Sequence, residues 1–287
     1  MTFATGTCPA PTCAPDDGRL LFRSALVKIA DVSCGTHEAV CDLAVSGCRH
    51  QLVFTRFGAA FAHRADARQA DMVADPVQAV LLEAGAQYSL RHQSSAPHAY
   101  TVFAFASSAL PNDGRASIAK RHLIRADVLL RYHRLRKMLL GPQALSEHSS
   151  LAVEEEAVTL LRRATVPAEA ANGTRMRRHR DLVESTKMVL ASAPGAAHRL
   201  DDVAASLGVS PSHLAHVFRA EVGIPMHQYL LQVRMALAID QLSGGTGTLS
   251  QLALDLGFVS HSHFTAAFRQ FFGVPPRVAR RALAITR

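Results

Sequence analysis

Leu200-Asp201-Asp202-Val203-Ala204-Ala205-Ser206-Leu207-Gly208 is echoed downstream by Leu249-Ser250-Gln251-Leu252-Ala253-Leu254-Asp255-Leu256-Gly257. One extra residue enters the second copy. The match then resumes as Ser210/Ser260, Ser212/Ser262, His213/His263, Leu214/Phe264, Phe218/Phe268, Arg219/Arg269, Gly223/Gly273 and Pro225/Pro275. A period of about fifty residues in only two copies describes a duplicated module, because a solenoid needs at least three stacked repeats to bury its faces.

Each copy predicts a helix, a tight turn and a second helix. Asp201 and Ser250 are N-cap residue types placed just ahead of apolar residues at helical spacing. Gly208 and Gly257 fall where a helix ends in the left-handed conformation. Ser210 and Ser260 are placed to cap the second helices, and Pro211 opens one of them without losing a needed N–H. Those helices keep Leu214, Val217 and Phe218, or Phe264, Ala267 and Phe268, on one face and stop at Gly223 or Gly273. This is the helix-turn-helix plan. Between the copies, Pro225 to Leu242 predicts a connector helix roughly 27 Å long, and successive major-groove faces on one side of DNA lie about 34 Å apart.

Ser210-Pro211-Ser212-His213-Leu214, Phe218-Arg219, Gly223, Pro225, Tyr229 and Arg234, followed by Gly257-Phe258, Ser260-His261-Ser262-His263-Phe264, Phe268-Arg269 and Phe272-Gly273-Val274-Pro275, resemble the AraC/XylS-type bacterial transcription regulators. The resemblance covers about Asp181 to Leu283. It implies a sequence-specific DNA-binding regulator whose two units read adjacent major grooves of double-stranded DNA. It also implies an N-terminal sensing or dimerising domain, a small-molecule effector, a homodimer and contact with RNA polymerase. Two departures stand out. Relatives often carry Arg or Lys where this chain has His216 and Ala266, and an aromatic or Arg often ends the second copy where Ala279-Arg280 stands. The family's base preference therefore does not transfer.

If Leu214, Val217 and Phe218 face the core, then Ser212, Ala215, His216 and Arg219 point outward. The same geometry in the second copy leaves His261, Ser262, Thr265 and Arg269. The N-terminal turns of such helices lie nearest the base edges. Ser210 and Ser260 cap, and together with the helix N-terminus they can also meet a phosphate. His216 is the leading base reader of the first copy, with His261 and Ser262 as its counterparts. The bland alternative is that these residues touch only phosphate or solvent.

The chain has 287 residues, enough for two domains. No run of eighteen apolar residues occurs, and residues 1–18 lack the basic and apolar regions of a secretory signal, so a cytoplasmic protein without a membrane partner is expected. The net charge is +8. Residues 115–180 carry most of it, and residues 181–287 hold six of the fifteen His. Such a surface either solvates the protein or draws it to DNA from a distance.

The expected fold class is α+β: an N-terminal cupin-like β-barrel with a helical connector, then a C-terminal all-α domain of two helix-turn-helix units joined by a linker helix. Residues 1–18 read as a flexible tail. Residues 19–110 read as the cupin-like sensor domain, because Ala25–Val32, Leu52–Phe57, Val77–Leu82 and Thr101–Ala106 are short apolar stretches broken by Gly, Pro, Asp and Asn. Val73-Ala74-Asp75-Pro76, Leu81 to Gly85 and Tyr88-Ser89-Leu90 resemble the sensor region of some AraC-type regulators. Residues 111–165 read as helical, with helices over Ile118–Leu140 and Leu151–Arg163; the resemblance makes them a dimerisation and connector region. Residues 166–180 read as a basic linker, whose Arg175, Arg177, Arg178 and Arg180 either meet phosphates or form a solvated hinge. Residues 181–287 are expected to fold and bind DNA alone.

Five Cys all lie before residue 50, and in a reducing cytoplasm they read as free thiols. Cys34, His37, Cys41, Cys48 and His50 have the composition of a metal or redox site, although their spacing fits no common zinc module and the plain reading is cysteines without a role. Cys8-Pro9 is too short a signal to read. His63, His92 and His98 lack the Glu partner and spacing of a cupin metal set. No catalytic constellation or Gly-rich phosphate loop occurs, so no enzyme activity and no cofactor are expected. The rivals to the regulator reading are a cupin-like metal- or thiol-based sensor or enzyme fused to a DNA-binding module, and a structural nucleoid-type binder.

Overall fold

The computed structural model describes residues 17–34, 43–46, 49–58, 60–64, 72–82, 84, 87–91, 98–106, 120–141, 147–164, 177–244 and 247–283. Its N-terminal half contains strands β1 (Asp17–Arg23), β2 (Val27–Cys34), β3 (Leu43–Ser46), β4 (His50–Phe57), β5 (Ala60–Arg64), β6 (Met72–Ala74), β7 (Gln78–Leu82), β8 (Gln87–Arg91), β9 (His98–Phe105) and β10 (Lys120–Leu123). Helices α1 (Ala126–Leu140) and α2 (Glu147–Ala164) follow. The C-terminal half contains α3 (Arg177–Ser192), α4 (Leu200–Ser206), α5 (Pro211–Val222), α6 (Met226–Gly244), α7 (Leu249–Asp255), α8 (His261–Phe272) and α9 (Pro276–Leu283).

The strands form two antiparallel sheets, one in the order β1-β2-β9-β4-β7-β10 and the other β3-β8-β5-β6. The mixed sheet-and-helix class is as expected. A closed barrel is not observed among the described residues: β1 and β10 end the first sheet without pairing to the second, whereas closure requires an unbroken ring of ladder hydrogen bonds.

Alternation along the strands divides the first sheet into two faces. Val27, Ile29, Leu52, Phe54, Ala79, Leu81, Phe103 and Phe105 join the main core with α1, α2 and the C-terminal helices. Val53, Val80, Leu82 and Tyr100 form a smaller cluster on the opposite face, the face to which His98 and Thr55 also belong by register. Tyr132 of α1 stacks on Phe54, with ring centroids 4.6 Å apart and planes 7° from parallel.

The helix expected from Ile118 is corrected. Lys120–Leu123 is strand β10, paired antiparallel with Leu81 to Gln78, and α1 starts only at Ala126. Edge pairing with a buried strand outweighs the helical spacing read there. The basic linker is also shorter than expected, because Arg177, Arg178 and Arg180 lie in α3. Residues 165–176 lie outside the described residues, as do residues 1–16 of the expected tail.

The middle of the connector α6 is buried around its circumference. Every residue from Met235 to Asp240 is buried, as expected of a helix enclosed on all sides. It packs on α1 and β4 of the N-terminal half and on α3, α5 and α9 of its own.

Candidate nucleic-acid interface

The second helix of each repeat copy is built as its local sequence dictates. Ser210 caps α5, its hydroxyl accepting from the His213 N–H at 3.3 Å, and Ser260 caps α8, accepting from the His263 N–H at 3.1 Å. Both helices end on glycines in the left-handed region, Gly223 at φ 84° and Gly273 at φ 77°. The first helices differ from expectation in their caps. Thr248, not Ser250, caps α7, accepting from the Gln251 N–H at 3.1 Å. The N-cap of α4 is Arg199, which makes no side-chain cap bond, and Asp201 lies in the first turn, where its charge favours the helix N-terminus.

The inward residues Leu214, Val217, Phe218, Phe264 and Phe268 are buried. That leaves Ser210, Ser212, His216 and Arg219 exposed on the first unit, with Ala215 half-buried. Ser260, His261, Ser262 and Arg269 are exposed on the second. Thr265 is half-buried, and its hydroxyl is shielded from solvent without a hydrogen-bond partner. His213, His263 and Gln270 are also exposed on these helices, and none of the three is among the residues expected to meet DNA. His213 packs edge-on against His179 of α3, with centroids 5.7 Å apart, and His263 packs edge-on against Phe258 at 5.4 Å. Their place one position beyond Ser212 and Ser262 was signal enough to find them.

Behind α5 and α8, the two units meet at backbone level. Arg234 of α6 donates to the Pro194 carbonyl at 2.8 Å, the Ala196 carbonyl at 3.2 Å and the Gly257 carbonyl at 3.2 Å.

The C-terminal helices meet both sheets through polar groups. Register slips between Thr55 and Phe57 in the β4–β9 ladder, so Arg56 stands at a bulge, where a side chain can be re-aimed. It donates to Asp240 of α6 at 3.0 and 3.3 Å and comes within 3.9 Å of Asp31. Asp31 also accepts from Arg136 at 2.7 and 2.9 Å and from the Thr101 hydroxyl at 2.6 Å. Burial holds the neighbouring His133 imidazole down to about 4. A second bridge joins α3 to β6, where the Val73 N–H donates to Glu184 at 2.7 Å. Beside it the Tyr229 hydroxyl donates to Asp75, whose carboxyl is raised above its usual range by burial and partly lowered by Lys187.

Of the cysteine–histidine cluster, His37, Cys41 and Cys48 lie outside the described residues. Cys34 ends β2 and His50 opens β4, its Nδ1 accepting from the Ala84 N–H at 3.3 Å. His63 is on β5, His98 is buried on β9, and His92 is outside the described residues. Among the described residues no group of three or more His, Cys, Asp or Glu is placed to hold a metal, and no helix is long and apolar enough to cross a membrane.

Residues 203–282 match the family described as a helix-turn-helix domain. The same end of the chain is similar to curated bacterial regulators. It is 37% identical over 83 residues to a putative AraC-like transcription regulator of Streptomyces lividans, covering 29% of this chain and 27% of that one. It is 35% identical over 80 residues to the HTH-type transcriptional regulator ArgR of Pseudomonas aeruginosa, covering 28% and 24%. It is 29% identical over 101 residues to the Msm operon regulatory protein of Streptococcus mutans, covering 35% and 36%. The matches thus span about a quarter to a third of these relatives. Among solved structures, ToxT of Vibrio cholerae aligns over 91% of this chain and 99% of its own, at 15% identity and a TM-score of 0.36, too slight a likeness to bear on the fold. Residues 203–282 of the chain are a helix-turn-helix domain. That domain is similar to a segment of an AraC-like regulator.

Proposed function

We propose that the chain is a sequence-specific DNA-binding transcription regulator. The observation that carries this reading is the pair of equivalent helices α5 and α8, each capped by a serine and each keeping its polar side exposed, with α5 packed on the connector α6 and α8 on α7 and α9. Ser212, Ala215, His216 and Arg219 would face one major groove, and His261, Ser262, Thr265 and Arg269 the next. Ser210, Ser260 and the N-termini of their helices would lie against phosphate. The matching segments of known regulators support the same reading.

The N-terminal half is read as a sensing and dimerising domain over residues 19–110, of cupin-like type; its two antiparallel sheets support that reading. A small-molecule effector bound there would reach the reader through Arg56, Asp240, Asp75 and Tyr229. Residues 111–165 pair two subunits into a homodimer, and the exposed Leu151 of α2 (60%) supports this. The reader spans residues 181–287, and in a cytoplasmic protein its further partner is RNA polymerase.

The test is selection of bound duplexes from a random-sequence library by the full chain, followed by titration of the recovered sequence against random DNA. Enrichment of a defined sequence is expected. Equal affinity for all duplexes would instead point to a structural DNA binder.

A further inference from the structure

We propose that Arg234 is a spacing-determining residue, which fixes the separation and rotation of the two reading helices so that the chain accepts one spacing between the two DNA segments it reads. This rests on the DNA-binding reading above. Arg234 lies on α6 and reaches both ways. Its Nε donates to the Pro194 carbonyl and one terminal nitrogen to the Ala196 carbonyl, both in the α3–α4 loop. The other terminal nitrogen donates to the Gly257 carbonyl in the α7–α8 turn. A planar guanidinium can hold three carbonyls at fixed angles, whereas an ammonium is a point charge on a flexible stem. The buried Phe258 ring lies 5.7 Å from the guanidinium and limits its movement further.

The junction has no slack. A Cβ on Gly195 would stand 2.2 Å from the Asp255 carbonyl oxygen, and one on Gly257 would stand 2.5 Å from the Gly195 carbonyl oxygen. The loop of the first unit and the turn of the second are therefore in direct backbone contact. Each side leads to a reading helix. The loop follows α3, which packs on α5, and Gly257 precedes Ser260, the cap of α8. Inserting one base pair between two target segments moves the second by about 3.4 Å and about 35° around the duplex. A clamped junction cannot follow that movement, and a loosened one can.

The experiment compares the full wild-type chain with Arg234→Lys and Gly195→Ala. Each selects duplexes from a random library, and the spacing between enriched segments is read by sequencing. Wild type is expected to give two segments at one spacing, and a one-base-pair insertion to weaken its binding about tenfold or more, the scale of a mispaired contact. Both variants are expected to accept neighbouring spacings and to lose less than about threefold on the same insertion. If both variants keep the single wild-type spacing, the proposal is overturned, whatever their affinity. If they lose both segments together with a lowered melting temperature, Arg234 only supports the fold and the proposal is again overturned. A single enriched segment with wild type leaves no spacing to set and overturns it too. If wild type enriches no sequence, the DNA-binding reading fails first and the proposal fails with it.

Discussion

Arg56 and Asp240, 184 positions apart in the chain, are joined by two hydrogen bonds, of 3.0 and 3.3 Å, between strand β4 and the connector helix α6. Both groups are largely out of water, with side chains 19% and 8% exposed. Removing one member leaves the other charged and desolvated. Asp240→Ala is expected to destabilise the full chain by about 3 kcal/mol, read as a lowered urea midpoint. Arg56→Met with Asp240→Leu should cost less than the two single changes added together. Additive losses would mean that the pair does not couple the halves.

Tyr229→Phe removes the hydroxyl that donates to Asp75. The buried carboxyl then keeps the Val77 N–H as a donor, at 2.9 Å. A loss of about 1–3 kcal/mol is expected, the cost of an under-satisfied buried acceptor. Equilibrium unfolding measures it, and an unchanged midpoint would show that solvent or Lys187 replaces the bond.

His133 gives the chain an acid-sensitive stability. Its ordinary value of 6.5 applies to the unfolded chain, while burial lowers the folded value to about 4. Asp240 and Asp31 pull it upward, and Arg136 and Arg56 push it down. A depressed value in the fold means that the unfolded chain takes the proton first. The stability is therefore full above about pH 6.5 and is lost as pH falls toward 4, by up to about 3 kcal/mol. Unfolding midpoints taken between pH 7.5 and 4.5 should follow this slope, and His133→Gln should flatten it. An equal slope in the variant would assign the effect to other groups.

His216→Ala is expected to relax preference at one or two base pairs and to cost about 1–3 kcal/mol on the selected site alone. Arg219→Ala and Arg269→Ala should weaken all sequences alike and flatten the salt dependence by about one unit of slope. Affinity titrations on selected and random duplexes separate the two behaviours. Equal weakening of both duplexes by His216→Ala would remove its base-reading role.

The reading helices were legible because everything that makes them is local. Caps three residues from their donors, glycines at the stops and an apolar face at helical spacing all lie within a dozen residues. The first helices were placed correctly but their caps were not. Thr248 and Ser250 are both capping types, and only geometry decides between them. Strands β4, β7 and β9 are readable because both their faces bury apolar residues and β2 because one face does, whereas β10 is short and its partner β7 is distant in sequence. The charges between the halves were invisible for the same reason. Asp31, Arg56, Arg136 and Asp240 sit in unremarkable surroundings, and nothing nearby in the sequence announces that they will meet. Arg234 belonged to the quoted resemblance, but its three carbonyl partners became apparent only when the chain was folded.

The row formed by Arg136, Asp31, Arg56 and Asp240 alternates in sign and sums to zero. Rising ionic strength acts on exposed charges first, because ions cannot enter between groups already out of water. Arg219 and Arg269 stand in the open on the outer faces of their helices, so their hold on phosphate would fade within the first few hundred millimolar of salt. The inner row would not notice. Along a salt gradient the protein should therefore release its duplex well before its own halves part.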